Sequence, residues 1–189
     1  PAATVVASRY DEVVKIGQQI LHNKRFQVYG SLDIKGIELA GILKNYIAIA
    51  AGACAGKGYG ENVRALLITR GMAEMIYIGK ALGVNPKSFL GLAGIGDLIA
   101  TCCSPLSRNY NVGFQLAHGK KLPEIIGSIN EAAEGIKTVK VIKAMAASIK
   151  AKAPLVSILY KIFYEDYSIE NGIQLLMRIP VNVDAEYIQ

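Results

Sequence analysis

The chain has 189 residues, 52% of them hydrophobic, with a mean hydropathy of +0.31, a net charge of +6 and three cysteines. That length supports one domain or one and a fraction with a substantial core. The basic balance favours an anionic ligand, but the lysines are scattered and lack interleaved aromatic residues, which argues against nucleic acid. Cys54, Cys102 and Cys103 have no metal-ligand spacing, His22 and His118 are isolated, and the odd thiol count fits a reducing cytoplasm.

In chain order, residues 1–31 read as strand (Ala3–Ser8), helix (about Tyr10–His22) and strand (Phe26–Tyr29). Two strands and one crossover helix cannot cover both of their faces. This piece is therefore expected to end a larger α/β unit whose beginning is absent, which makes the chain a fragment. From Asp33 the pattern turns helical. A long apolar helix is expected over about Ile34–Ala55, and a second over about Asn62–Leu82 with Asn62 as its N-cap. Asn85-Pro86 opens a short helix, and Gly91 to Asn109 reads as a polar, Gly/Ser/Pro-punctuated loop around Asp97–Thr101. Further helices are expected over about Tyr110–His118, Lys137–Lys150, Leu155–Tyr164 and Ile169–Met177. The longest apolar stretch carries Glu38, Lys44 and Asn45, so it does not read cleanly as a membrane span. Greasy helices packed on each other, or on a second domain or subunit, explain the hydropathy better.

Lys44 is the residue that demands a reason. An ammonium among Ile, Leu and Ala costs several kcal/mol unless it is paired or neutralised. Three and four residues away on the same helix stand Ala40, Gly41, Ile47 and Ala48, mostly small, so a backbone or a ligand can approach. The alternative is a lysine that snorkels to water. Gly56-x-Gly-x-Gly60 follows a helix rather than a strand, so a helix C-cap with a tight turn is the better reading, and no dinucleotide fingerprint occurs. Ser107-Arg108-Asn109 offers a guanidinium fork and neutral donors at a helix start, a plausible phosphate cradle and equally an ordinary N-cap. Asp97 after glycine reads as a turn or cap aspartate, Glu131 and Glu134 as solvated carboxylates, and Arg70/Glu74 as an i,i+4 pair.

Taken together, four segments resemble the NAD(P)-dependent glycerol-3-phosphate dehydrogenases, in their C-terminal part and most like the bacterial form. They are Gly36–Asn45, Ala65–Glu74, Gly91–Leu98 and Thr101–Asn109, in family order. The resemblance runs from about Tyr29 to Gly135, and the likeness beyond about residue 150 is thin. It implies an all-α substrate-binding domain of the 6-phosphogluconate-dehydrogenase C-terminal-like type over residues 32–189. Before it, residues 1–31 would be the strand-helix-strand remnant of a Rossmann domain.

The resemblance also implies roles. Lys44 would be the catalytic lysine beside the carbonyl of dihydroxyacetone phosphate, with Asn45, Asp97 and Thr101 lining the substrate site. Ser107, Arg108 and Asn109 would hold the substrate phosphate. Arg108, Ala132 and Glu134 would contact the cofactor, NAD or NADP, held mainly by the absent domain; the Ala132–Glu134 match is looser because of its flanking residues. A cytoplasmic enzyme of glycerophospholipid synthesis follows, with a small phosphorylated substrate, no metal and no membrane span. A homodimer is one assembly open to it, and the fragment alone is expected to be inactive. Two other readings are the helical domain of another NAD(P)-dependent hydroxyacid dehydrogenase and a non-catalytic helical oligomerisation module.

Overall fold

A computed structural model describes residues 1–128 and 132–179, the side chains of 132–134 excepted. Strand β1 (Ala2–Ala7), helix α1 (Asp11–Leu21) and strand β2 (Phe26–Ser31) form the expected strand-helix-strand unit. The strands pair in parallel, Ala2 with Phe26 through Ala7 with Ser31. Helix α1 lies on them through buried Val14, and the Gln18 side chain donates to the Val28 carbonyl (3.0 Å). Its other stripe, Tyr10, Val13, Ile16 and Ile20, stays exposed.

Every element after β2 among the described residues is helical: α2 (Ile34–Gly56), α3 (Glu61–Ala81), the short helical turns Pro86–Phe89 and Leu92–Gly96, α4 (Asp97–Cys103), α5 (Arg108–Ala117), α6 (Leu122–Ser128), α7 (Ala132–Ser148), α8 (Pro154–Tyr164) and α9 (Ile169–Arg178). The all-α expectation for this part of the chain is met. The axis is α2, about 34 Å long at 1.5 Å per residue. Asp33 starts it by accepting from Gly36 N–H (2.9 Å), while its second oxygen accepts from Ser88 Oγ (2.7 Å). Gly58, at φ +76°, follows its end, in keeping with the cap-and-turn reading of the Gly56–Gly60 motif. By length and composition α2 could cross a membrane, yet 67% of its most apolar window is buried inside the protein. Its neighbours α3, α4, α5, α7 and α8 use that apolar surface as core. Helix α5 crosses closest, because a Cβ at Gly52 would overlap the Tyr110 carbonyl and one at Gly113 the Ile49 carbonyl.

Four local readings are corrected. Residues 91–109 are mostly helical: Leu92–Gly96 forms a wide π-turn, Gly94 packs on the Phe89 carbonyl, and α4 follows, burying Leu98 and Cys102. Asn62 is not an N-cap; α3 starts at Glu61 behind Gly60, which has no capping side chain. Helix α6 was not anticipated, although Pro123 suits a first helical turn. Arg70 and Glu74 do not pair. Arg70 donates to the Ile179 carbonyl (3.1 Å), and Glu74 turns to α8.

Candidate active site

Lys44 and Asn45 sit in the middle of α2, where the helix passes α4, α5 and α7. Packing fixes α2 on its other sides, which leaves the Lys44 side chain about 20% exposed on the open one. Its ammonium donates to Asp97 Oδ2 at the head of α4. This is the partner that a lysine in an apolar helix requires, supplied by a residue 53 positions further on. The Asp97 carboxylate is 43% exposed, so the pair is open to an incoming ligand on one side. Thr101, one turn along α4, donates its hydroxyl to the Asp97 carbonyl (2.6 Å), with Asp97 Oδ1 at 3.4 Å.

The second pair lies one residue along α2. Asn109 Nδ2 donates to Asn45 Oδ1 (2.9 Å). Asn109 is held from behind by Gly135 of α7, where a Cβ would overlap Asn109 Oδ1. Ser107 caps α5 by accepting from Tyr110 N–H (3.3 Å), and Arg108 is the exposed first residue of that helix. Ser107 thus has its capping role whether or not it also meets a ligand. The structure brings Lys44, Asp97 and Thr101 together as one cluster and joins Asn45 to Asn109, at the start of the helix that Ser107 and Arg108 open. Ala132 and Glu134 lie in the first turn of α7, where their side chains fall outside the described residues, as does Glu131 altogether.

A cleft of about 410 Å³ opens beside the pair, between β1 and the helical part. Ala3, Thr4 and Val5 form one wall, and Leu92, Ala93, Gly96 and Ala100 face them, with Asp97 among the lining residues. Small and apolar walls with a charged group at one edge suit a flat ring presented to a polar reacting centre. Among the described residues no group of three or more His, Cys, Asp or Glu could hold a metal ion.

One buried polar arrangement escaped the sequence. Glu74 of α3 is buried, and its carboxylate accepts from the backbone N–H groups of Leu155 (2.7 Å) and Val156 (3.0 Å) at the start of α8. Burial pushes its carboxyl up to about 7, against the pull of those two N–H groups, Tyr46 and Lys143. The signal was there in Ala153-Pro154: a helix that starts at proline with no capping side chain of its own needs a cap from elsewhere.

The sequence family described as the NAD-dependent glycerol-3-phosphate dehydrogenase C-terminus matches residues 33–174. A "Glycerol-3-phosphate dehydrogenase [NAD(P)+]" of Ectopseudomonas mendocina is 47% identical over 186 residues, 98% of this chain and 55% of that protein. The crystal structure of glycerol-3-phosphate dehydrogenase from Coxiella burnetii superposes with a TM-score of 0.89 at 36% identity, over 94% of this chain and 55% of the other. That from Saccharomyces cerevisiae gives 0.77 at 28% identity, over 86% and 48%. The chain spans about half the length of the curated relatives it matches.

Proposed function

Because the chain belongs to the family of NAD-dependent glycerol-3-phosphate dehydrogenase C-terminal domains, we propose that it is the substrate-holding part of an enzyme that interconverts dihydroxyacetone phosphate and sn-glycerol 3-phosphate with NAD(P)H. Residues 32–189 form the helical domain in this reading, and residues 1–31 belong to a nucleotide-binding domain whose further strands cover the exposed stripe of α1.

The observation that carries the proposal is the Lys44–Asp97 pair at the edge of the cleft, with Asn45 and Asn109 beside it. The cleft fits the reactive end of a nicotinamide, which supplies the hydride when bound. The Lys44 ammonium donates the proton to the oxygen of the reduced carbonyl and stabilises the charge that develops there. Asp97 holds that ammonium in place, and Thr101 steadies the head of α4 behind it. Ser107, Arg108 and Asn109 bind the substrate phosphate at the positive end of α5, which fixes the carbonyl relative to Lys44. Arg108 also approaches the cofactor, and so do Ala132 and Glu134. In the oxidative direction the neutral amine of Lys44 takes the hydroxyl proton. The three free cysteines suit a cytoplasmic protein.

The test is steady-state turnover of dihydroxyacetone phosphate by the full-length protein with NADH and with NADPH. Consumption of reduced cofactor that depends on the phosphorylated ketone supports the reading. Equal turnover of a 2-oxo acid without phosphate would transfer the site to another dehydrogenase class.

A further inference from the structure

We propose that Glu74 is a positioning residue for the catalytic helix: with Tyr46 and the start of α8 it fixes the register of α2 and so aims Lys44 and Asn45 at Asp97 and Asn109. The proposal rests on the active-site reading above.

Three helices meet at one polar point inside an otherwise apolar core. From α3 comes the Glu74 carboxylate, 2% exposed. From α8 come the N–H groups of Leu155 and Val156, at 2.7 and 3.0 Å. From α2 comes Tyr46, fully buried, whose hydroxyl lies next to the carboxylate without reaching hydrogen-bond geometry and has no other partner. Lys143 of α7 adds a positive charge nearby and donates to Ser157 Oγ of α8 (2.8 Å).

Such a carboxylate is an expensive cap. A Ser or Asp at position 153 would satisfy the same two N–H groups at lower desolvation cost. What the distant carboxylate adds is registry between helices, the best-attested use of a buried polar group in an apolar interface. Tyr46 is the large buried side chain by which α2 meets this cap, its ring packed in the core with Leu43, Ile47 and Ile49 of the same helix. At 100° per residue, Tyr46 stands about 200° round the helix from Lys44. The helix is thus pinned at its back while its front presents the lysine.

The same geometry predicts a pH signature. Protonation converts one carboxylate oxygen to a donor facing an N–H, so one of the two bonds to α8 is lost. The groups that face the carboxylate are Tyr46 of α2, Lys143 of α7 and the two α8 amides, and burial holds the carboxyl at about 7 among them.

The experiment compares Glu74→Gln and Glu74→Asp with wild type in the full-length enzyme, by melting temperature and by kcat and KM for dihydroxyacetone phosphate between about pH 6 and pH 9. Misaiming the lysine by a fraction of an ångström to one ångström should lower kcat about ten- to a hundredfold, with KM rising less, by at most roughly tenfold, because Asn45 shifts with α2 while Ser107 and Arg108 stay on α5. Glu74→Gln should also lose any inflection of kcat near pH 7. Should Glu74→Gln fail to fold, Glu74→Asp, which keeps the charge but draws the carboxylate back from the α8 amides by one methylene, decides the matter. Folded variants with wild-type kcat and an unchanged pH profile overturn the proposal, because a purely structural cap would change only the melting temperature. Lys44→Ala serves as the control: if it retains kcat, the active-site reading has failed independently of Glu74.

Discussion

Lys44 of α2 donates to Asp97 Oδ2 at the head of α4, so the cation in the middle of the apolar central helix is neutralised by a carboxylate that also lines the cleft. The arrangement serves two ends. It offsets the desolvation penalty of placing a lysine in a helix that is otherwise buried through Leu43 and Ile47. It also leaves the ammonium oriented at the edge of a space large enough for a ligand.

Lys44→Ala in the full-length enzyme is therefore expected to lower kcat by about 10²- to 10⁴-fold, the usual worth of a positioned proton donor. Asp97→Asn keeps the shape and removes the charge, and should lower kcat less than Lys44→Ala does. Single-turnover kinetics on folded variants checks both. Near wild-type kcat in Lys44→Ala would reduce the lysine to a snorkelling core residue.

Arg108→Ala should raise KM for dihydroxyacetone phosphate. A charge-assisted contact is worth about 1.5–3 kcal/mol, which is roughly a 10- to 150-fold loss in kcat/KM per bond. A ketone without phosphate should lose far less, since it never uses the contact. An equal loss on both substrates would move Arg108 from the phosphate to the carbonyl or the cofactor.

The isolated 189-residue chain is expected to be inactive and to bind NADH weakly, because it contains no Gly-rich phosphate cradle. Fluorescence titration checks this directly. Micromolar binding would mean that the helical part holds the cofactor by itself.

Helix positions and the all-α class were legible because α2 and α3 are long and bounded by Asp33, Gly58, Gly60 and Gly83. Residues 91–109 misled because glycine, serine and proline mark coil in most contexts. Here Gly94 is small so that it can approach the Phe89 carbonyl, and the turn is helical. In the site, the residues that converge do so across 53 and 64 positions of sequence, a proximity that no local pattern encodes. Glu74 was misread for the same reason. Its i,i+4 neighbour Arg70 was the nearest partner in sequence, while its actual partners lie 81 and 82 residues away.

Burial of Glu74 has a sign that stability measurements can read. Its folded carboxyl sits at about 7 against an ordinary 4.5. The folded state therefore holds that proton more tightly than the unfolded chain, and the contribution to stability is fully present below about pH 4.5 and lost as pH rises through about 7. The range is on the order of 3 kcal/mol. Glu74→Gln cannot ionise, so its stability relative to wild type should improve between about pH 5 and about pH 8. Denaturant melts at both pH values check this, and a difference that stays constant with pH would mean that Glu74 is not titrating in the folded core.

Gly135→Ala separates stability from function at a single methyl group. Gly135 lies inside α7, away from the left-handed region of backbone conformation, so alanine fits the helix and should stabilise it by about 0.5–1 kcal/mol. The added Cβ, however, would overlap Asn109 Oδ1, with Ile49 Cδ1 at an ordinary 3.4 Å. The asparagine amide is the part free to move, and moving it breaks its 2.9 Å bond to Asn45. Both asparagines then lose the orientation in which the proposed site presents them to substrate. Loss of that neutral hydrogen bond costs about 0.5–1.5 kcal/mol, which offsets the helix gain, so the melting temperature should change little while KM for the phosphorylated ketone rises roughly two- to twelvefold. A variant with unchanged KM would show that the Asn45–Asn109 contact is not part of substrate binding. One that melts earlier would show that the backbone of α7, rather than the asparagine, gives way.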